Sequence, residues 1–107
     1  MQSTLKTLAI GVAMTGSLFI GPVAMADGAA LYTAKLCQTC HGVDAKTPLI
    51  PQYPKLVGQS EIYLLQQMKD IRDGKRTNGL SAAMKALTMT VTDDEFATIA
   101  KWLVSLK

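Results

Sequence analysis

The six residues CQTCHG, Cys37 to Gly42, contain both cysteines and the only histidine of the 107-residue chain. Two thiols three positions apart, followed at once by an imidazole, form a compact set of reactive side chains. Four kinds of chemistry use such a set: a zinc site, a dithiol redox pair, a structural disulfide and the covalent attachment of haem. The rest of the chain distinguishes between them.

The remaining sequence argues against the first three. A structural zinc site takes four ligands, and no Cys or His lies outside Cys37, Cys40 and His41. A thioredoxin-like pair belongs among alternating strands and helices, whereas the apolar periodicity of this chain is helical. A disulfide leaves the adjacent histidine unexplained. We therefore predict one covalent c-type haem, with thioethers to Cys37 and Cys40 and with His41 as an iron ligand.

The first 26 residues have the pattern of an export signal. Lys6 precedes an apolar run from Leu8 to Ile20, and residues 24–26, Ala-Met-Ala, form a small-x-small cleavage site. The run is about 13 residues long, which is short of the ~20 that a membrane-spanning helix needs. We expect a cleaved signal peptide over 1–26, a periplasmic mature domain over 27–107 and no membrane insertion after cleavage.

The size and charge of the mature domain limit its function. Removing 26 of 107 residues leaves 81, a size at which a hydrophobic core alone supplies only a few kcal/mol. A bound haem would supply the missing buried surface. Lys6 leaves with the signal peptide, so the mature domain has 10 Lys and Arg against 8 Asp and Glu, a net charge of +2; with no dense basic run, this argues against a nucleic-acid partner. With His41 bound to iron, no other His or Cys is left for acid–base or nucleophilic catalysis, so we expect no enzyme activity.

Apolar periodicity predicts an all-α fold, because no segment alternates like a strand. The second helix begins at an N-cap, Ser60, and ends at Gly74. The last helix begins with a capping box of Thr92 and Glu95 and continues with an apolar stripe from Phe96 to Val104. The predicted segments are a helix over 28–38, a loop over 42–59, a helix from Ser60 to Gly74, a loop up to Val91 and a helix from Thr92.

Four further segments resemble landmarks of the class I cytochromes c, in particular the small bacterial monohaem carriers. They are GAALY at Gly28–Tyr32, YPKLVGQ at Tyr53–Gln59, QMKDIRDGKRTNG at Gln67–Gly79 and TDDEFATIAKWLVSL at Thr92–Leu106. The resemblance implies the small cytochrome c fold, with three main helices wrapped around one covalent haem and the first helix crossing the last. It also implies that the Pro54 carbonyl accepts a hydrogen bond from His41 and that Leu56 packs on the haem face.

Three methionines of the mature domain are candidates for the second axial ligand. Met68 lies on the apolar stripe of the second predicted helix, as a core residue would. Met89 lies just before the final helix, where the chain has little slack to cross the haem. Met84 has Gly79 upstream and small neighbours, and it lies as far from the final helix as the ligand does in the resembling family. We predict Met84, in a loop that lacks the proline many relatives carry there.

A haem iron with two protein ligands has no open position for small molecules, so its chemistry is the transfer of one electron. We expect a periplasmic electron-transfer protein that exchanges electrons with redox proteins. Membrane respiratory complexes and periplasmic dehydrogenases are the expected donors and acceptors. Two alternatives stay open at this point: a haem subunit of a periplasmic dehydrogenase complex, and an open-site haem protein that binds a gas.

Overall fold

The computed structural model describes the backbone of residues 20–106 and the side chains of residues 25–106. No strand occurs between residues 20 and 106, so the predicted all-α class is confirmed. Residues 1–19 of the predicted signal peptide lie outside the described residues. The helices are α1 (Ile20–Ala34), α2 (Gln38–His41), α3 (Glu61–Arg72), α4 (Ser81–Thr88) and α5 (Asp93–Ser105).

The first and last helices cross at Gly28. A Cβ atom at Gly28 would lie 2.2 Å from the Trp102 Cβ and 2.9 Å from the Thr98 carbonyl oxygen, so only glycine permits this approach. One turn later, the Tyr32 ring lies 5.0 Å from the Trp102 ring between centroids. The Tyr32 hydroxyl also donates to the Gly42 carbonyl, at 2.6 Å. The crossing therefore fixes α1 against α5, and Tyr32 also fixes the segment around Gly42.

Replacing Gly28 with alanine is expected to lower the free energy of unfolding by about 1–3 kcal/mol, because the new methyl group overlaps the Trp102 side chain. Urea denaturation of the haem-loaded protein measures the change. Ala30→Ser, at an exposed position of the same helix, is the control and should change the value by less than about 0.5 kcal/mol. An unchanged urea midpoint for Gly28→Ala would contradict the close crossing.

The first helix differs from its predicted range of 28–38. It begins at Ile20, in a stretch rich in alanine, and it ends at Ala34. The helix stops because Leu36 adopts the left-handed conformation, with φ of 64°. The amide of Leu36 donates to the Thr33 carbonyl (3.1 Å), and the next amide along the chain donates to the Tyr32 carbonyl (3.0 Å). This is a Schellman ending, which normally uses glycine. Leucine in this conformation costs about 1–2 kcal/mol. Because the sequence has no glycine here, it does not indicate that the helix ends.

Both ends of α3 agree with the sequence. The Ser60 hydroxyl accepts a hydrogen bond from the Tyr63 amide at 3.3 Å. At the other end Gly74, with φ of 76°, follows the helix. The buried face of α3 consists of Leu64, Met68 and Ile71, and the helix packs against both α4 and α5.

The last helix, α5, has the predicted capping box. The Thr92 hydroxyl accepts from the Glu95 amide at 3.1 Å, and the Glu95 carboxylate accepts from the Thr92 amide at 3.0 Å. Glu95 also pairs with Lys35 at 3.4 Å, which ties the end of α1 to the start of α5. Val104, predicted on the apolar stripe, is 38% exposed and lies at its edge. The buried residues of α5 are Phe96, Ile99, Ala100 and Leu103.

The capping box predicts a pH dependence. The hydrogen bond from the Thr92 amide, and next the contact with Lys35, hold the pKa of Glu95 below its usual value of 4.5. A carboxylate with a lowered pKa stabilises the fold above the unfolded-state pKa and loses this contribution as the pH falls through the folded-state pKa. Wild type should therefore exceed Glu95→Gln in stability at pH 6, and the difference should shrink below about pH 4.5. Thermal melts at both pH values test this. A difference that stays constant would contradict the prediction.

A helix, α4, occupies Ser81–Thr88, where the sequence analysis placed a loop, and this prediction was wrong. The segment SAAMKALT is rich in good helix formers and contains no glycine or proline. Ser81 and Thr88 are buried, Met84 is partly buried, and the residues between them are exposed. This spacing is the buried side of a two-turn helix. The fold thus has the three predicted helical regions plus two shorter helices, α2 and α4.

Candidate functional site

A cleft of about 240 Å³ lies among the turn after α1, α2, the loop around Pro54, α3 and α4. Side chains from all these elements line it, and many of them are apolar. The structure brings every predicted site residue to this one cleft, although their individual roles stay predictions. The six residues are Cys37, Cys40, His41, Pro54, Leu56 and Met84.

The two cysteines lie one helical turn apart on the cleft wall. Cys37 and Cys40 are both free and partly buried, and the His41 amide donates to the Cys37 carbonyl at 3.0 Å. Burial raises the pKa of the Cys37 thiol to about 11. Dithiol redox proteins depend on a lowered thiol pKa, so this environment argues against a dithiol redox pair.

His41 is 7% exposed and is held in one orientation by the loop across from it. Its Nδ1 lies 2.9 Å from the Pro54 carbonyl oxygen, which is the contact implied by the resemblance. Because a carbonyl can only accept, Nδ1 carries the proton and Nε2 keeps its lone pair. Burial lowers the pKa of His41 more than this hydrogen bond raises it, which favours the neutral imidazole. A neutral imidazole with a free Nε2 is the form that binds a metal.

The loop that carries Pro54 and Leu56 is fastened by a buried alanine. The Ala45 carbonyl accepts from the Leu56 amide at 3.0 Å and from the Val57 amide at 3.2 Å. Next to it, the Asp44 carboxylate accepts from two backbone amides within its own turn, at 2.9 Å each, and these bonds lower its pKa. The Pro54 carbonyl is therefore positioned by hydrogen bonds between its loop and the segment just after His41.

The structure distinguishes Met89 from the other two candidate methionines. Met89 is 67% exposed and does not line the cleft. Met84 lines the cleft from α4 and packs against the hydrophobic core. Met68 also lines the cleft, from α3, and is 8% exposed. Met84 lies in a helix and not in a loop, so the argument from the length of free loop around it does not hold. Its position in the cleft is the remaining reason to prefer it to Met89.

The chemistry of these residues fits a covalently bound haem. Two thiols on successive turns and an imidazole with a free Nε2 line one cleft together with a thioether sulfur. Within residues 25–106, no group of three or more His, Cys, Asp or Glu side chains is arranged to hold a bare metal ion. No helix in the described part of the chain is both long and apolar enough to span a membrane.

An all-α domain with a CxxCH segment in a largely apolar cleft is typical of covalent haem proteins. Residues 25–107 match the family model for cytochrome c, and the chain belongs to the cytochrome c family. Family membership and the CQTCHG segment together give its cofactor as one covalently attached c-type haem.

The chain is also similar to individual proteins, over the whole of its length or over part of it. It is 39% identical to cytochrome c4 of Pseudomonas aeruginosa over 107 residues, which is all of this chain and 50% of that protein. It is 41% identical to cytochrome c-554(548) of Halomonas halodenitrificans over 69 residues, covering 64% and 82% of the two chains. It is 32% identical to the thiosulfate dehydrogenase electron acceptor of Stutzerimonas stutzeri over 88 residues, covering 76% and 39%. The chain thus spans about half the length of the cytochrome c4 relative.

Sequence reasoning gave no role to three polar residues of the cleft. Gln67, Arg76 and Asn78 all line it. They lie in the segment QMKDIRDGKRTNG, whose resemblance to the family was noted, but no spacing rule connects them. Only the fold brings them together.

Proposed function

We propose that this protein carries single electrons between redox proteins in the periplasm, with His41 and Met84 as the two axial ligands of its haem. The observation that carries the proposal is that Met84 and His41 line the same cleft, from helices α4 and α2. When bound, the haem supplies one iron-centred couple that accepts and returns one electron. The family membership and the cytochrome c4 relative support the electron-transfer role.

The residues of the chain hold this couple in a fixed environment. Cys37 and Cys40 tether the cofactor, and the Pro54 carbonyl fixes the orientation of the His41 ring. On α4, the Thr88 hydroxyl donates to the Met84 carbonyl at 3.0 Å, within a helix that packs on α3. Rigid ligands suit electron transfer, because neither oxidation state then needs a different arrangement of the protein.

A redox titration combined with a test for carbon monoxide binding tests the proposal. The purified holoprotein should titrate as a single one-electron couple, and its reduced form should not bind carbon monoxide, because both axial positions are taken. Rapid carbon monoxide binding by the native protein would instead indicate an open iron position, as in the gas-binding alternative.

A second candidate function is supported by the relative named as a thiosulfate dehydrogenase electron acceptor. In that case a dehydrogenase would be the electron donor or a stable partner of this domain. Purification at physiological salt from the native host distinguishes the two functions. A free carrier elutes alone. A subunit elutes with a dehydrogenase, and its haem becomes reduced when the substrate of that enzyme is added.

The periplasmic location is part of the proposal and rests on the pattern of residues 1–26. The intact mass of the protein from a periplasmic fraction tests it. The expected mass is that of residues 27–107 plus one haem. A mass that retains Met1, or recovery in the cytoplasmic fraction only, would contradict export and cleavage.

A further inference from the structure

The cleft contains a polar cluster that the proposed function does not use. The Arg76 guanidinium donates from Nη1 to the Gln67 side-chain oxygen at 3.2 Å and from Nε to the Asn78 side-chain oxygen at 3.1 Å. All three residues line the cleft, whose wall here also contains Leu64 and Ile71. An arginine fixed by two amide oxygens on a largely apolar wall has a defined direction.

The end of α3 places Arg76 at this position. Gly74, with φ of 76°, turns the chain, and the amides of Lys75 and Arg76 both donate to the Asp70 carbonyl, at 2.8 and 3.1 Å. The chain thus folds back over the last turn of α3. The Arg76 side chain then reaches Gln67, nine residues earlier in the sequence. The backbone and both amide partners therefore determine where the guanidinium lies.

The charges of the cleft are not balanced by the protein. Lys35 and Arg76 are the two Lys or Arg residues that line it, and no Asp or Glu does. Lys35 pairs with Glu95 at 3.4 Å. Arg76 forms no ion pair with any other residue in the described part of the chain. It is partly buried, so an anion bound in the cleft would interact with its charge through less water than at a fully exposed residue.

The unused donors of Arg76 suit a carboxylate. A guanidinium has five N–H donors in a planar fork, and two of them are used here, so three remain for a bidentate partner. A haem has two propionate carboxylates, on the half of the ring opposite the vinyl groups that join the cysteines. Arg76 lies in the connection between α3 and α4, in a different segment from the cysteines of the α2 region.

We propose that Arg76 is the counter-charge of a haem propionate and that Gln67 and Asn78 position its guanidinium. The proposal depends on the haem cofactor and not on which proteins exchange electrons with it. A cation near the iron favours the reduced state, which carries one more negative charge. Removing the cation should therefore lower the equilibrium constant for reduction.

The test compares three variants of the holoprotein with wild type. Arg76→Gln removes the charge, and Arg76→Lys keeps the charge but loses the fork. Lys75→Gln is the matched control, because it removes the same charge from the neighbouring exposed residue, which does not line the cleft. The two measurements are the propionate bending band in the resonance Raman spectrum and the equilibrium constant for one-electron reduction.

Arg76→Gln should shift the propionate band and lower the equilibrium constant by about threefold to tenfold, where tenfold corresponds to 59 mV for one electron. Lys75→Gln should leave the band unchanged and alter the constant by less than about twofold. A wild-type band in Arg76→Gln, or a change in the constant no larger than that of Lys75→Gln, would overturn the proposal. If Arg76→Gln does not retain haem, Arg76→Lys decides: a shifted band supports the contact, and a wild-type band overturns it.

Discussion

Replacing both Cys37 and Cys40 with alanine is expected to give a chain that contains no haem and is largely unfolded. The mature domain is small, and its apolar cleft is lined by residues of α3 and α4, including Leu64, Met68 and Ile71. With the haem lost, water would contact these side chains, and the 81-residue mature domain that we predict has little stability in reserve. This is the largest effect that we expect from any substitution in the protein.

Far-UV circular dichroism and a thermal melt measure this effect. The control is the wild-type mature sequence made in the cytoplasm without a signal peptide, where no haem is attached. If the loss of haem is the cause, both proteins should show the same weak helical signal without a cooperative melt. Full helical signal and a cooperative melt in the double variant would show that the fold does not need its cofactor.

Replacing Met84 with alanine is expected to change the iron site while the helices remain. Loss of the thioether ligand should remove the far-red charge-transfer band, lower the reduction potential by on the order of 100 mV and allow the reduced protein to bind carbon monoxide. The domain should stay folded, because the covalent thioethers still hold the haem. Absorption spectra with and without carbon monoxide, and a redox titration, measure these changes.

Two further methionine variants serve as controls. Met89 is 67% exposed, so Met89→Ala should leave the spectrum and potential unchanged. Met68 is 8% exposed in the core, so Met68→Ala should lower stability by about 2–5 kcal/mol but keep the charge-transfer band. If Met68→Ala loses the band and binds carbon monoxide while Met84→Ala does not, then Met68 is the ligand.

The parts of the fold that the sequence predicts well are those set by local interactions. The capping box of Thr92 and Glu95 needs only residues three positions apart, and both of its hydrogen bonds are present. The Ser60 cap and the stop at Gly74 are local in the same way. Each signal acts within one helical turn, so the folded chain has little freedom to override it.

The end of α1 and the helix α4, which the prediction missed, lack such signals. Leu36 ends α1 in the left-handed conformation, for which glycine is the usual indicator. The helix α4 is only two turns long, too short for its apolar side to be clear against the small residues around Met84. The end of α1 and the formation of α4 both depend on packing against distant parts of the chain.

The candidate site also contains residues that local sequence predicts and residues that only the fold brings together. Cys37, Cys40 and His41 are predicted from spacing alone, because the covalent chemistry requires them to be adjacent. Pro54 and Leu56 came only from the resemblance to a family. The cluster of Gln67, Arg76 and Asn78 is invisible in the sequence, because its geometry arises where the chain folds back at Gly74. Spacing in the sequence is thus enough to predict an attachment site, whereas the polar cluster becomes visible only in the fold.

The crossing of α1 and α5 has a consequence for the order of events during biosynthesis. Gly28 and Trp102 touch although they are 74 positions apart, since 102 minus 28 is 74. A contact of this range forms only after residue 102 has been synthesised and, in the exported protein that we propose, moved across the membrane. Until then α1 lacks the helix on which it packs, and we expect the segment with Cys37 and Cys40 to stay accessible. The late arrival of α5 would therefore keep both thiols open to haem attachment until residues 93–105 are in place.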